Sequence, residues 1–174
     1  MGTSLGKNAV PNELWFTDDD GSEAQVGSTN PAGTEVYKVK TADETRTTDI
    51  TLADDDHLVG FSLEAGKYYS IEALLWVTES IAGDFDYAWI FTNVPTGRSS
   101  HHNQTAGSTD KGVTSIATRD SVTIESGSNV ISIQAMLQAN ASTGGTFKLQ
   151  WAQGTSSGVT TLLEHSWVRL TKLN

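Results

Sequence analysis

The side chains able to do chemistry in this chain fall into a few short clusters. Gly154-Thr155-Ser156-Ser157-Gly158 has the G-x-S-x-G spacing of a nucleophile elbow. That chemistry needs a strand before the turn, a helix after it, and an acid and a histidine downstream in that order. A strand does precede the motif, but a polar loop and another strand follow it. Glu164 and His165 are sequence neighbours, so extended chain points them to opposite sides. The motif reads as a Gly/Ser loop. Asp84 and Asp86 share one face of a strand, as paired carboxylates do in glycosidases, yet one strand alone does not build that site. His101-His102 would need further ligands to hold a metal, for example one His from each of three chains on an axis. Asp18-Asp19-Asp20 invites calcium, but the three are consecutive and lack the alternating ligands and closing Glu of an EF-hand loop. Phe85, Tyr87, Trp89 and Phe91 recur at period two and suit either a sugar-stacking platform or a sandwich core. The core reading is favoured because aromatic rings supply large buried area. No cofactor, metal or catalytic residue is assigned.

The elements that would carry these clusters are strands. Phe147, Leu149 and Trp151 alternate with Lys148, Gln150 and Ala152, the pattern of a strand with one buried face. A polar loop over 154–161 and a closing strand over 166–173 follow. Upstream, strands are expected over 35–40, 46–52 (a Thr-rich edge), 57–63, 67–78, 84–92, 121–124 and 130–138. Ala53–Asp56 reads as a turn and 93–107 as a polar, turn-rich stretch. No segment has a capped i, i+3, i+4, i+7 pattern, so helix is minor. The fold class expected is all-β, an antiparallel β-sandwich or jelly roll over residues 35–174, preceded by an N-terminal arm and linker over 1–34. In the arm, Leu14-Trp15-Phe16 and Glu23–Gly27 flank Asp20-Gly21, a hairpin signal. Such a hairpin is marginal alone, so Trp15 and Phe16 need something to pack on.

Composition narrows the class. The chain has 16 Gly, 3 Pro and no Cys, which fits a turn-rich β protein and excludes disulfides, thiolate zinc sites and Cys nucleophiles. Its start lacks a basic and then apolar leader, and no apolar run spans a bilayer, so a soluble chain is expected. The net charge is −10; residues 1–64 hold thirteen Asp/Glu against four Lys/Arg, and residues 65–174 eight against seven. So acidic a chain is a poor match for phosphate backbones or anionic membranes; neither nucleic acid nor membrane is expected as a partner. Several strands, 67–78, 130–138 and 166–173, are apolar on both faces. A lone sandwich wets one face of each sheet, so the second face must meet something, and symmetric self-association is the economical answer. Trp76, Met136, Trp167, Val168 and Leu170 are the residues assigned to that contact.

Tyr37-Lys38-Val39-Lys40, then Leu63-Glu64-Ala65-Gly66-Lys67-Tyr68-Tyr69, then Gly145-Thr146-Phe147-Lys148-Leu149-Gln150-Trp151-Ala152-Gln153, and finally Ser166-Trp167-Val168-Arg169-Leu170 carry a resemblance. Together they resemble a small domain of tailed-bacteriophage virion proteins, found in capsid decoration proteins and at tail-fibre tips. That domain is similar to the trimeric jelly rolls of the tumour-necrosis-factor and C1q type. The resemblance spans residues 35–174 and marks a virion module, with no catalytic residues to carry over. It implies a homotrimer on the capsid surface whose arm, through Leu14, Trp15, Phe16, Asp18, Asp19 and Asp20, holds the phage major capsid protein and stabilises the head. The alternative it implies is a tail-fibre or head-fibre tip that binds host-surface glycan.

Overall fold

The computed structural model describes residues 5–7, 14–17, 23–26, 32–105 and 108–174, with side chains described for 32–82, 84–105 and 115–174. Every regular element among them is a strand. The chain divides into two compact units, Met1–Ala32 and Gly33–Asn174.

The first unit holds β1 (Leu5–Lys7), β2 (Leu14–Thr17) and β3 (Glu23–Val26) in a three-stranded antiparallel sheet. The expected hairpin is β2–β3, with Leu14 opposite Val26 and Thr17 opposite Glu23. The sequence reading lacked β1, which pairs Leu5 with Phe16 on the other side of β2. Three residues of mixed polarity give too short a pattern to register. Asp18, Asp19 and Asp20 lie outside the described residues.

The second unit starts two residues earlier than the expected boundary. Gly33 N donates to Lys172 O at 2.6 Å, and Lys172 N donates to Thr34 O at 3.0 Å, so both residues already belong to the sheet end. Its strands are β4 (Glu35–Val39), β5 (Glu44–Thr47), β6 (Ala53–Asp54), β7 (Phe61–Leu63), β8 (Tyr68–Glu79), β9 (Gly83–Phe91), β10 (Thr96–Asn103), β11 (Ser108–Ser115), β12 (Asp120–Ile124), β13 (Gly127–Gln138), β14 (Gly145–Gln153), β15 (Val159–Leu162) and β16 (Trp167–Lys172). They form two antiparallel sheets. The larger runs β11-β10-β13-β8-β15-β5, with β16 also beside β8 and β4 beside β16. The twelve residues of β8 make this fork possible: Tyr69–Leu74 pair with β16, and Val77–Glu79 pair with β15. The smaller sheet runs β12-β9-β14-β6, with β7 also on β14.

The core lies between the sheets and follows the alternation in the sequence. Tyr69, Ile71, Ala73, Leu75 and Val77 of β8 face inward with Ile131, Ile133, Ala135 and Leu137 of β13. Phe85, Tyr87, Trp89, Phe147, Leu149 and Trp151 face them from β9 and β14. Each large apolar side chain so buried contributes about 1.5–3 kcal/mol. The rings pack in offset and edge-on pairs: Phe61 on Phe147 at 4.6 Å, Trp89 edge-on to Phe147 at 5.7 Å. The antiparallel β-sandwich expected from the sequence is the fold.

Four local expectations fail. The strand expected over 46–52 ends at Thr47, because Thr48 adopts a left-handed φ of 53°. The chain there leaves the larger sheet and runs to the β14 edge of the smaller one. It is pinned by Gln153 N donating to Asp49 O at 3.1 Å and by Arg119 Nη2 donating to Ile50 O at 3.2 Å. Ala53–Asp54, expected as a turn, then pair with Trp151 and Gln150 as β6. The stretch 93–107 contains β10, whose inward residues Ser99, His101 and Asn103 are polar and therefore give no apolar alternation. The loop expected over 154–161 likewise ends early, at β15.

Candidate functional site

The strongest candidate is the outer face of the larger sheet. Cross-strand register sets its rows. Val39 lies opposite Trp167, which lies opposite Leu74, which lies opposite Ser132. The next row is Tyr37, Arg169, Glu72 and Gln134, and a third is Glu35, Thr171, Ser70, Met136 and Arg98. Large apolar side chains stay open to solvent on these rows and the ones flanking them: Tyr37 is 52% exposed, Val39 41%, Trp76 40%, Tyr68 44% and Met136 61%. Tyr37 stacks on Trp167 with ring centroids 5.1 Å apart.

An ion row crosses this face. Arg169 Nη2 donates to Glu72 Oε2 at 2.5 Å, and its Nη1 lies 3.4 Å from Glu35 Oε1. Glu72 is the main reason the Arg169 guanidinium binds its proton still more tightly than usual. Beyond that row a groove of about 1100 Å³ runs between the β8 and β10 sides of the face, lined among others by Glu72, Arg98, Gln134 and Met136. Among the described side chains, Arg98 and Arg169 against Glu35 and Glu72 leave this face close to neutral on a chain of net charge −10. A neutral, aromatic-rich face is the part of this molecule best able to meet another surface without like-charge repulsion.

Of the residues assigned to self-association, Trp76, Met136 and the half-buried Trp167 lie on this face. Val168 and Leu170 do not. They are 0% and 2% exposed, and their side chains enter the core from β16. Period-two alternation puts Trp167 and Arg169 on one side and Val168 and Leu170 on the other, and the sheet order sends the second pair inward. Leu14, Trp15 and Phe16 fall on β2, whose side chains are not described.

The other clusters resolve into structural roles. Ser156 donates its hydroxyl to Thr48 O at 3.0 Å, and His165 sits exposed beside Glu164 at 3.7 Å. Asp86 accepts from Arg119 Nε at 2.7 Å, and the same guanidinium holds the carbonyl of Ile50 between β5 and β6. Phe85, Tyr87 and Trp89 are core residues, and Phe91 packs against the core, which removes the stripe as a sugar platform. His101 and His102 face opposite sides of β10, and no three metal-ligating side chains cluster among the described residues. His101 turns inward, with Nδ1 3.1 Å from Tyr87 Oη and 3.5 Å from Asp120 Oδ2. Burial, and secondarily Asp120, pushes the Tyr87 phenol well above its ordinary value. Sequence reasoning missed this inward polar group because its members sit on three strands, β9, β10 and β12.

No protein-family model matches the chain, and no curated protein matches it.

Proposed function

We propose that this chain is a bacteriophage structural protein: a homotrimer that decorates the capsid, is held on the major capsid protein by its N-terminal arm, and stabilises the head. The observation that carries this is the outer face of the larger sheet. Tyr37, Val39, Trp76 and Met136 are all at least 40% exposed there, on a face a solitary sandwich would cover with polar side chains. Pairing with copies of itself removes this surface from water at no cost in net charge on the face. The strand order adds support: β4-β16-β8-β13 opposite β7-β14-β9-β12 is the connectivity of a jelly roll. The separate three-stranded unit ending at Ala32 suits an arm that grips a second protein, and three arms on one trimer add avidity. The protein acts as a binding and structural module that turns over no substrate.

One observation favours a second reading. Trp76 and the stacked Tyr37–Trp167 pair are accessible aromatic faces of the kind that stack on sugar rings, which fits a fibre tip that binds host glycan. Immunogold labelling of purified virions separates the two. Gold over the head shell is the expected result, and gold at fibre tips transfers the protein to the second reading. Particles that carry no label at all overturn both. A chain lacking residues 1–32 should then stay folded and trimeric but no longer bind heads stripped of the protein.

A further inference from the structure

Lys40 and Asp55 are both 0% exposed, and Lys40 Nζ lies 2.7 Å from Asp55 Oδ2. Glu44 Oε2 stands 3.1 Å from the same nitrogen. The other lysine pairs among the described residues are wetter: Lys148–Asp54 is 36% and 47% exposed, and Lys172–Glu64 is 5% and 39% exposed. We propose that Lys40 and Asp55 join spontaneously in an intramolecular isopeptide bond, with Glu44 carrying the proton.

The parts of such a reaction are in place. Both reacting residues are clamped by their backbones. Lys40 N donates to Ser166 O at 2.7 Å, His165 N donates to Lys40 O at 2.8 Å, and Asp55 N donates to Leu149 O at 3.0 Å. Held this way, amine and carboxyl meet without the entropy cost of an encounter. Asp55 Oδ1 accepts from His57 N at 2.9 Å and from Leu58 N at 2.7 Å, two backbone donors aimed where an oxyanion would form. Glu44 is itself held by Arg46 Nη2, 2.8 Å from Oε1, and Arg46 lies over the Trp151 ring at 4.3 Å.

The step balances within the chain. One proton of the Lys40 ammonium passes to Asp55 Oδ2, leaving an amine and a carboxylic acid. Nζ attacks Asp55 Cγ, and the two backbone N–H groups hold the charge that develops on Oδ1. Glu44 takes a second proton from Nζ and delivers it to Oδ2, which departs as water as the C–O bond breaks. The third hydrogen stays on the amide nitrogen, and Glu44 ends as the carboxylate it began as. Loss of water from a dry site, together with replacement of two buried charges by a neutral amide, drives the reaction forward. The product ties the end of β4 in the larger sheet to the end of β6 in the smaller one. In a chain with no cysteine it supplies the cross-link a disulfide would otherwise give.

Mass spectrometry of the full purified chain under denaturing conditions decides it. The expected mass is that of the sequence less one water, with trypsin failing to cut after Lys40 and residues 39–46 recovered joined to 47–67. Glu44→Gln and Lys40→Met, each checked for retained β-sheet by circular dichroism, should show the full mass. A wild-type chain of full mass that is cut after Lys40 leaves a plain buried ion pair and overturns the proposal. So does the same water loss mapped to Asp20-Gly21, where a succinimide would form. Water loss that persists in Glu44→Gln overturns the role given to Glu44.

Discussion

Leu170 and Met136 are both apolar side chains on the larger sheet, and their environments are opposite: 2% exposed against 61%. Truncating Leu170 to alanine opens a hole between the sheets and should cost about 2–5 kcal/mol in urea unfolding. Met136→Ala should leave the stability of the folded protomer within about 0.5 kcal/mol, since its side chain leaves no cavity behind. Equal losses for the two variants would show that the sheet faces have been assigned the wrong way round. Tyr87 makes a second prediction at this scale. Its phenol is held above the unfolded value of 10.0 by burial first and Asp120 second, so the neutral form is favoured in the fold. The stability this supplies is complete below pH 10 and is lost as pH rises from there toward the raised folded value, where the unfolded chain releases a proton the folded one keeps. Alkaline titration should therefore show the tyrosinate absorbance of Tyr87 appearing together with loss of structure. Tyr87→Phe should flatten the dependence; a Tyr87 that ionises with the fold intact would contradict this.

At the scale of elements, the crossing between sheets after β5 is held from two sides, by Gln153 at Asp49 and by Arg119 at Ile50. Arg119 joins Asp86 on β9 to the carbonyl of Ile50, and Asp86 is 6% exposed. Arg119→Ala should cost about 1–3 kcal/mol, because it leaves a buried carboxylate short of its partner. Adding Asp86→Asn should recover part of that loss, and a double-mutant cycle reads the coupling directly. Strict additivity of the two substitutions would mean the pair does not hold the segment. This crossing also shows how far sequence reasoning reaches. The alternation in β8, β9, β13 and β14 was legible because one face of each strand is uniformly apolar. The path from Thr48 to Leu52 was not, since what ends β5 is one left-handed residue and what anchors the segment is Arg119 and Gln153, about seventy and one hundred residues away in sequence. The strand β10 was hidden for the reverse reason. Its inward side chains satisfy one another across sheets, as when Asn103 Nδ2 donates to Thr123 O at 2.9 Å and to Asn129 Oδ1 at 3.2 Å.

For the whole molecule the question is what covers the outer face of the larger sheet. Light scattering on a sizing column should give three times the protomer mass of 18.6 kDa. Met136→Glu together with Trp76→Glu should give a folded monomer, because each places a charge on the face that must dry on assembly. A wild-type protein that runs as a monomer at micromolar concentration would remove self-association from the account. Deleting residues 1–32 should not change the result, since the two units are compact separately and Gly33 and Thr34 already pair with Lys172.

Read without a structure, the chain already shows its fold class, the aromatic core of β9 and β14 and the presence of strands apolar on both faces. These follow from period-two patterning and composition, which act locally and need no knowledge of partners. Which face of a doubly apolar strand is inside became clear only from the packing of the sheets. Trp167, Val168, Arg169 and Leu170 read alike in either register, and it is the place of β16 between β4 and β8 that buries Val168 and Leu170 and leaves Trp167 beside Tyr37. The meeting of Lys40 with Asp55 was equally out of reach, because each lies past the end of a strand in a different sheet. A pattern of side chains specifies that a strand has two faces; the packing of the two sheets specifies which one is dry.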